Sequence, residues 1–176
     1  MNSSQGKGDN FQQSELQKNL ELLRGVYFFS GLPLESLKVF AYLCTRESFK
    51  KGEFLFRQGD NDGQAFYIIS GKAGLLCKDE KGEFVIREYG PGDFLGGMVL
   101  LGNIPRLFSL RAQDDMTCLI LSKENFDAAI EQFPDLMPKI ILSVVKAIGD
   151  REERFLSVRE ETCETCARMI IGLTLL

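Results

Sequence analysis

Residues 92–106 read GDFLGGMVLLGNIPR, and this segment is more informative about the fold than any other part of the chain. Gly96 and Gly97 leave their backbone N–H groups unshielded by side chains, as in loops that cradle an anion. Arg106 follows ten residues after Gly96, so its guanidinium can return to the same cavity and fork onto that anion. The segment therefore predicts an anion pocket.

The same segment resembles the phosphate-binding cassette of cyclic-nucleotide-binding domains. The usual pattern of that cassette is F-G-E-(L/I)-(A/G)-L, then several residues, then P-R-x-A-(S/T). Aligned without a gap, Leu95 takes the place of Phe and Gly96 that of Gly, and Pro105-Arg106 matches Pro-Arg. Gly97 stands where the family has the Glu that accepts the ribose 2′-hydroxyl. The resemblance implies the family fold with one contact of the site replaced.

The resemblance also implies which residues would hold a ligand. In the family, the turn after the glycine forms a helix N-terminus whose N–H groups face a cyclic phosphate, and the arginine neutralises that phosphate. In bacterial members, polar residues midway along a long C-terminal helix meet the base, and Arg151 lies in the corresponding region. A salt bridge from Arg151 to Asp150, Glu152 or Glu153 across a dimer is the alternative for that residue. The ligand-binding candidates are Gly96, Gly97, Met98, Val99, Arg106, Leu107, Phe108 and Arg151.

Residues at three positions of the cassette would change how a ligand is held. A glycine at position 97 loses a hydrogen bond to a charged acceptor, at a cost of roughly 1.5–3 kcal/mol, which is about 10- to 100-fold in affinity. Leu107 and Phe108 make the floor of the pocket bulkier and more apolar, since the family has a small Ala at the second of these positions. The ligand is thus a cyclic nucleotide such as cAMP, a different small anion, or none. If the site is otherwise intact, Gly97→Glu is expected to raise nucleotide affinity.

From Glu47 to Leu121 the chain consists of short β-prone runs separated by turn residues. Such runs at intervals of roughly 8–12 residues are typical of an all-β sandwich or barrel. The runs are Phe54–Phe56, Phe66–Ile69, Gly74–Cys77, Phe84–Ile86, Leu107–Leu110 and Cys118–Leu121.

Four glycine-marked turns also resemble, in order, the corners of the family's β-roll. They are KKGE (50–53), QGD (58–60), FYIISG (66–71) and GPGD (90–93). The resemblance extends over about Val26 to Ala147. The expected fold class is mainly β with flanking helices: a double-stranded β-helix (jelly roll, or β-roll) over residues 47–122.

Helical patterns flank this β region on both sides. Residues 1–10 predict a disordered lead, and residues 11–46 predict two N-terminal helices, the second over Leu34–Leu43. Residues 123–176 predict a short helix over Glu124–Gln132 and a long helix that begins near Asp135.

The long helix carries an apolar seam with alternating spacings of three and four residues. Such a seam favours a parallel homodimer through residues 135–169, as in bacterial regulators of the resembled family. The alternative is that the stripe packs only on the chain's own β-roll. The apolar members are Ile141, Val144, Ile148, Phe155, Val158 and Met169, and Arg151, Thr162 and Thr165 share their register.

The composition limits the possible classes of function. A net charge of −4 and a pI near 5.0 disfavour nucleic-acid binding, which needs a basic face, so no DNA contact is expected from this chain alone. The chain has no histidine, the commonest general base and zinc ligand, so neither an enzyme nor a metal site is expected. Cys163 and Cys166, although spaced as CxxC, are interpreted as helix neighbours rather than as a metal or redox pair.

Targeting signals are equally sparse. No apolar run reaches membrane-spanning length, and the start of the chain does not have the pattern of an export signal. The five cysteines are scattered through apolar contexts, which favours reduced thiols. A cytoplasmic protein that does not contact membranes is expected.

These patterns together predict a non-enzymatic, dimeric sensor module without a cofactor. It would bind a small anionic ligand and relay its presence through the long helix to an unidentified protein partner. One alternative is a vestigial, non-binding cassette in a dimerising interaction domain. The other is a truncated transcription regulator of the Crp/Fnr (cAMP receptor protein-like) type, because the DNA-binding domain of such regulators would follow the long helix and the sequence ends at Leu176.

Overall fold

The computed structural model describes residues 5–79 and 82–157, with side chains over 13–77 and 82–153. Helices and strands alternate with short turns through this part of the chain. In order they are α1 (Gln5–Arg24), a 3-10 turn (Tyr27–Phe29), α2 (Leu34–Leu43), β1 (Thr45–Phe49), β2 (Phe54–Phe56), β3 (Gln64–Ser70), β4 (Ala73–Asp79), β5 (Gly82–Tyr89), β6 (Phe94–Leu95), α3 (Gly97–Leu101), β7 (Ser109–Ala112), β8 (Met116–Ser122), α4 (Lys123–Gln132) and α5 (Leu136–Ser157).

The strands form two four-stranded antiparallel sheets, in the orders β1-β8-β3-β6 and β2-β7-β4-β5. Central strand β3 pairs with β8, and Phe66 of β3 lies opposite Leu95 of β6. Buried apolar side chains from both sheets, such as Ile68 and Leu110, meet in one core. Two sheets packed around a shared core are typical of a jelly roll. The predicted mainly-β class with flanking helices is thus confirmed.

The helices build a second core with residues of β3 and β8. Phe28 is fully buried at its centre, with its ring centroid 5.1 Å from that of Phe29 and 6.0 Å from that of Phe126. Phe40 of α2 stacks on Phe126 at 5.8 Å. Aromatic pairs at these separations stabilise beyond their buried area. The aromatic cluster therefore fixes the 3-10 turn against the helices and the sheet.

Several boundaries differ from the sequence predictions. Helix α1 begins at Gln5, within the segment expected to be a disordered lead. Strand β1 was not predicted because its Thr45–Phe49 run is polar and mostly exposed, with only Phe49 buried. Strand β7 begins at Ser109 rather than Leu107, which is exposed. These differences lie at element ends and at a sheet edge, where local patterns are weakest.

The residues of the predicted seam on α5 differ in their burial. Val144 is buried in the helical core and Ile148 packs against that core, so these positions face the chain's own fold. Ile141 is exposed, together with Leu142 and Val145, which the seam does not include. Among the described residues, the exposed apolar stripe therefore shares only Ile141 with the predicted seam. The side chain of Phe155 is not described, and Val158, Thr162, Thr165 and Met169 lie outside the described residues.

Cys44 and Cys118 form no disulfide within the described part of the chain. Burial raises the pKa of Cys44 and of Cys118 to about 12, so both stay protonated at neutral pH. Cys163 and Cys166 lie outside the described residues. Within the described ranges, no cluster of metal-ligating side chains occurs, and no helix is long and apolar enough to cross a membrane.

Candidate functional site

The predicted cassette forms a tight turn centred on Gly96. Strand β6 ends at Leu95, Gly96 has a left-handed φ of 82°, and α3 begins at Gly97. A Cβ atom on Gly96 would lie 2.7 Å from the carbonyl oxygen of Gln64 and 2.7 Å from Nη1 of Arg106. Both the backbone conformation and the close approach therefore require glycine at this position.

Arg106 returns to this turn and is almost completely buried, with its side chain 6% exposed. Its Nη2 donates to Asp62 Oδ1 at 2.8 Å and its Nε to the same oxygen at 3.1 Å. Nη2 also donates to the carbonyl oxygen of Gln64. The ring of Phe56 lies 3.9 Å from Cζ of Arg106. A carboxylate, a carbonyl and an aromatic face together fix the guanidinium and compensate its burial.

These contacts leave one group of the guanidinium unused. A guanidinium has five N–H donors. Asp62 and Gln64 receive hydrogen bonds from Nε and Nη2, whereas Nη1 donates to no acceptor among the residues that the structure describes. Nη1 lies against Gly96. The turn and the free N–H groups of Arg106 thus meet at one point.

A small cavity opens at this point. Its volume is about 70 Å³, below the roughly 300–1,000 Å³ of pockets that hold drug-sized ligands. Arg106 and Tyr89 are the lining residues whose side chains carry nitrogen or oxygen. The candidates from the sequence line this cavity except for Gly97 and Arg151. The lining residues are Phe56, Leu75, Tyr89, Leu95, Gly96, Met98, Val99, Ile104, Pro105, Arg106, Leu107 and Phe108.

Gly97 faces the helical core. A Cβ atom there would lie 2.8 Å from Cδ2 of Phe28 and 3.0 Å from Cε1 of Phe94. Phe28 has no room to retreat, because its ring is fully buried. The space that a side chain at 97 would occupy is therefore filled by aromatic rings. The expected gain of affinity from Gly97→Glu does not fit this packing, since the carboxylate would first have to displace them.

Arg151 lies beside the cavity wall. Its guanidinium is 5.9 Å from the ring centroid of Tyr27, and its charge also acts on Tyr89, which lines the cavity. Burial raises the pKa of Tyr89, while the charges of Arg87 and Arg151 oppose this shift. The Tyr89 hydroxyl is thus neutral at neutral pH and able to donate a hydrogen bond. Arg151 of α5 therefore lies near Tyr27 and close enough to Tyr89 for its charge to act on the cavity wall.

The residues of the site that are not sequence candidates include Asp62, Phe28 and Tyr89. Asp62 belongs to the Gly59–Gly63 run, which indicates only a turn. A buried arginine needs an anionic partner. The aspartates of the Gly59–Gly63 turn were therefore the available signal for a partner of Arg106. Nothing local indicates that Phe28 fills the space beside Gly97, because the two residues meet only in the folded chain.

Known proteins are similar to this chain in sequence and in fold. Residues 46–133 match the family model for the cyclic nucleotide-binding domain. The Pycsar effector protein XpPycTIR of Xanthomonas perforans is 30% identical over 110 residues, which cover 62% of this chain and 35% of that protein. A cAMP-dependent protein kinase regulatory subunit of Debaryomyces hansenii is 26% identical over 117 residues, 66% of this chain and 25% of that subunit. The chain thus spans about a third or less of the length of these relatives.

Solved structures agree with the sequence matches. The Thermus thermophilus Catabolite Activator Protein superposes with a TM-score of 0.60 at 26% identity, covering 77% of this chain and 63% of that one. A cyclic nucleotide-binding-like protein of Brucella abortus has a TM-score of 0.60 at 28% identity, covering 65% of this chain and 98% of that one. The family model covers half of the residues, and these structures share the fold that carries the cassette. The chain belongs to the cyclic nucleotide-binding domain family.

Proposed function

We propose that this chain is a non-enzymatic regulatory module that senses a small anionic ligand, of the cyclic-nucleotide type, at the Arg106 end of the cavity. The observation that carries the proposal is the buried guanidinium whose Nη1 group faces Gly96 without an acceptor among the described residues. Membership of the family supports it, since relatives of this chain are named as cAMP- and cGMP-dependent kinase proteins.

An anionic oxygen at Nη1 would accept charge-assisted hydrogen bonds. It would also lie beside the N-terminus of α3 at Gly97. Asp62 already neutralises Arg106, so the ligand adds a second acceptor to a paired cation. The affinity is therefore lower than an unpaired arginine would give.

Binding of the ligand affects the long helix α5 through residues of the cavity wall. Tyr89 lines the cavity, and the charge of Arg151 on α5 acts on it. A ligand that displaces Tyr89 changes the surroundings of Arg151 and shifts the balance between two positions of α5. The exposed stripe of Ile141, Leu142 and Val145 is the surface through which a second copy of the chain responds.

Isothermal titration calorimetry of the purified chain with cAMP, cGMP and inorganic phosphate tests the binding step. Arg106→Lys keeps the charge but loses the forked geometry, so it should weaken anion binding by roughly 10-fold or more. Arg111→Lys is the matched control, because Arg111 lies on β7 outside the cavity and pairs with Glu83. If no anion binds, or if both variants lose affinity equally, the proposal fails.

A scaffold without a ligand is the second candidate function. The small cavity volume and the aromatic filling beside Gly97 favour it. In this case the titrations give no heat, whereas the chain still assembles through α5.

Size-exclusion chromatography with light scattering tests that assembly at about 50 μM chain. We expect a dimer that Leu142→Ser combined with Val145→Ser converts to a monomer, because burial of exposed apolar side chains drives association. Leu34→Ser, on the exposed side of α2, is the control and should leave the mass unchanged. A native monomer, or a dimer indifferent to the α5 changes, contradicts the proposed interface.

A further inference from the structure

We infer that the cavity selects an anion carried on an apolar body and does not read the ribose 2′-hydroxyl. This inference rests on the proposed function, because it concerns the same Arg106 site. It concerns the rest of the ligand, beyond the atoms that meet the guanidinium.

The first argument is that, among the described residues, no carboxylate or amide side chain lines the cavity to accept a hydrogen bond from a sugar hydroxyl. Arg106 can only donate, and the other polar side chain of the lining, Tyr89, holds one hydroxyl whose pKa is raised by burial. The carboxylate of Asp62 is already occupied by Nε and Nη2 of Arg106. A buried hydroxyl without a partner lowers affinity by roughly 5- to 100-fold. A ribose is therefore penalised here relative to a body without that hydroxyl.

The second argument is that there is no room at position 97 for a side chain that could accept a hydrogen bond from the sugar. Phe28 and Phe94 would lie within 3.0 Å of a Cβ atom on Gly97. Phe28 and Phe94 also pack on each other at 5.6 Å, so the filling is shared by two rings. Core packing therefore excludes an acidic acceptor at position 97.

The third argument is the apolar rim. Ile104 and Leu107 line the cavity and are 38% and 55% exposed. Large apolar side chains at a cavity mouth are unfavourable in water and are covered when an apolar group enters. Met98 lies on the same lining, and its unbranched side chain can re-pack to enlarge the space. One fixed cation with an apolar rim is suited to a ligand with one anionic end.

Two matched pairs of probes test the inference by calorimetry. The first pair is phenyl phosphate and inorganic phosphate, which differ by an apolar ring. The second is cAMP and 2′-deoxy-cAMP, which differ by the hydroxyl in question. We expect phenyl phosphate to bind roughly 10-fold or more tightly than inorganic phosphate. We expect 2′-deoxy-cAMP to bind at least as tightly as cAMP.

The outcomes separate this inference from the proposed function. Arg106-dependent binding with a 10-fold preference for cAMP over its deoxy form overturns the inference and leaves the anion site standing. Equal affinities for phenyl phosphate and inorganic phosphate would likewise overturn the inference and leave the anion site standing. If no probe binds in an Arg106-dependent way, the proposed function fails, and the inference fails with it.

A rim variant adds a second measurement with little risk to folding. Leu107→Ser should lower the affinity for phenyl phosphate several-fold, because Leu107 is exposed at the mouth and its apolar contact with the ring is lost. Tyr42→Ser is the matched control, since Tyr42 is exposed on α2 and does not line the cavity. Equal effects of the two variants would count against an apolar rim.

Discussion

At the Arg106 end of the cassette a charged side chain is buried. At the Gly97 end there is no side chain, and two aromatic rings fill the space that one would occupy. The charge is tolerated because Asp62 and a carbonyl satisfy two of its nitrogens. The gap is closed because Phe28 and Phe94 pack against the backbone of Gly97. One end of the cassette thus presents a buried guanidinium to the cavity, whereas the other end is part of the hydrophobic core.

The largest effect is expected when a carboxylate is forced into the packed end. Gly97→Glu overlaps the ring of Phe28 and buries a charge, so we expect a loss of about 3–5 kcal/mol in the free energy of unfolding. Urea denaturation followed by circular dichroism measures it. Gly149→Glu is the control, because nothing lies within 4 Å of a Cβ there and glycine is a poor helix former. A Gly97→Glu protein as stable as the control would show that the rings yield easily.

A double variant identifies the cause of that loss. Phe28→Ala is itself destabilising by about 3–5 kcal/mol, because the ring is fully buried. The double variant Phe28→Ala/Gly97→Glu should lose less unfolding free energy than the sum of the two single losses, since the alanine makes room for the new side chain. Additive losses would mean that Phe28 is not the obstacle.

The second effect concerns the charged end. Arg106→Met removes the charge-assisted hydrogen bonds to Asp62 and leaves that carboxylate partly buried, with its side chain 21% exposed. We expect a loss of about 2–3 kcal/mol in unfolding free energy. The exposed pair of Lys50 and Asp115 provides the comparison, because Lys50→Met should leave the free energy of unfolding nearly unchanged. Equal losses would place Arg106 among ordinary surface cations.

A smaller effect is expected when Arg106 is released from its carboxylate. Asp62→Asn keeps the acceptor oxygen for the Gln64 N–H group but removes the competing charge. Phosphate affinity should rise by roughly 5- to 10-fold, with a loss of stability of about 1–2 kcal/mol. Calorimetry reports the first quantity and thermal unfolding the second. Asp60→Asn serves as control, since Asp60 lies in the same loop and caps Arg57 N instead of the guanidinium. A fall in affinity would mean that Asp62 orients Arg106 for the ligand.

The smallest effect is expected at the cavity wall. Tyr89→Phe removes one hydroxyl that forms no hydrogen bond within the described residues, so stability should change by less than about 0.5 kcal/mol. A larger loss, measured by urea denaturation, would show that the hydroxyl holds the wall and that the cavity is more polar than its lining indicates.

Much of the fold was predictable from local patterns. Helix α2 runs over Leu34–Leu43 as predicted, because Pro33 precedes it and its apolar residues recur at helical spacing. The central strands were predicted from apolar runs between glycine turns, and the family resemblance is confirmed. Strand β1 was missed because Thr45–Phe49 owes its conformation to pairing with β8. Its own residues are mostly polar and exposed.

The approach of Arg106 to Gly96 was predicted from the sequence, whereas the residues that contact them from elsewhere in the chain were not. The return of Arg106 to Gly96 follows from a spacing within one segment, and the structure brings both to one cavity. The role of Asp62 does not follow, since Asp60 in the same turn has an equal carboxylate and caps the loop instead. The sequence left two alternatives for the seam of α5, because an apolar stripe does not indicate whether it packs on its own chain or on another; Val144 and Ile148 pack on their own chain, whereas Ile141 is exposed.

The amino-acid sequence was sufficient for the glycine turn at Gly96, the approach of Arg106 and membership of the family. Each depends on local backbone conformation or on a spacing within one short segment. The tertiary structure was needed to show that Gly97 is packed by Phe28 and that Asp62 pairs with Arg106. Volume and charge are balanced between neighbours in space, and those neighbours come from parts of the chain that no local pattern connects.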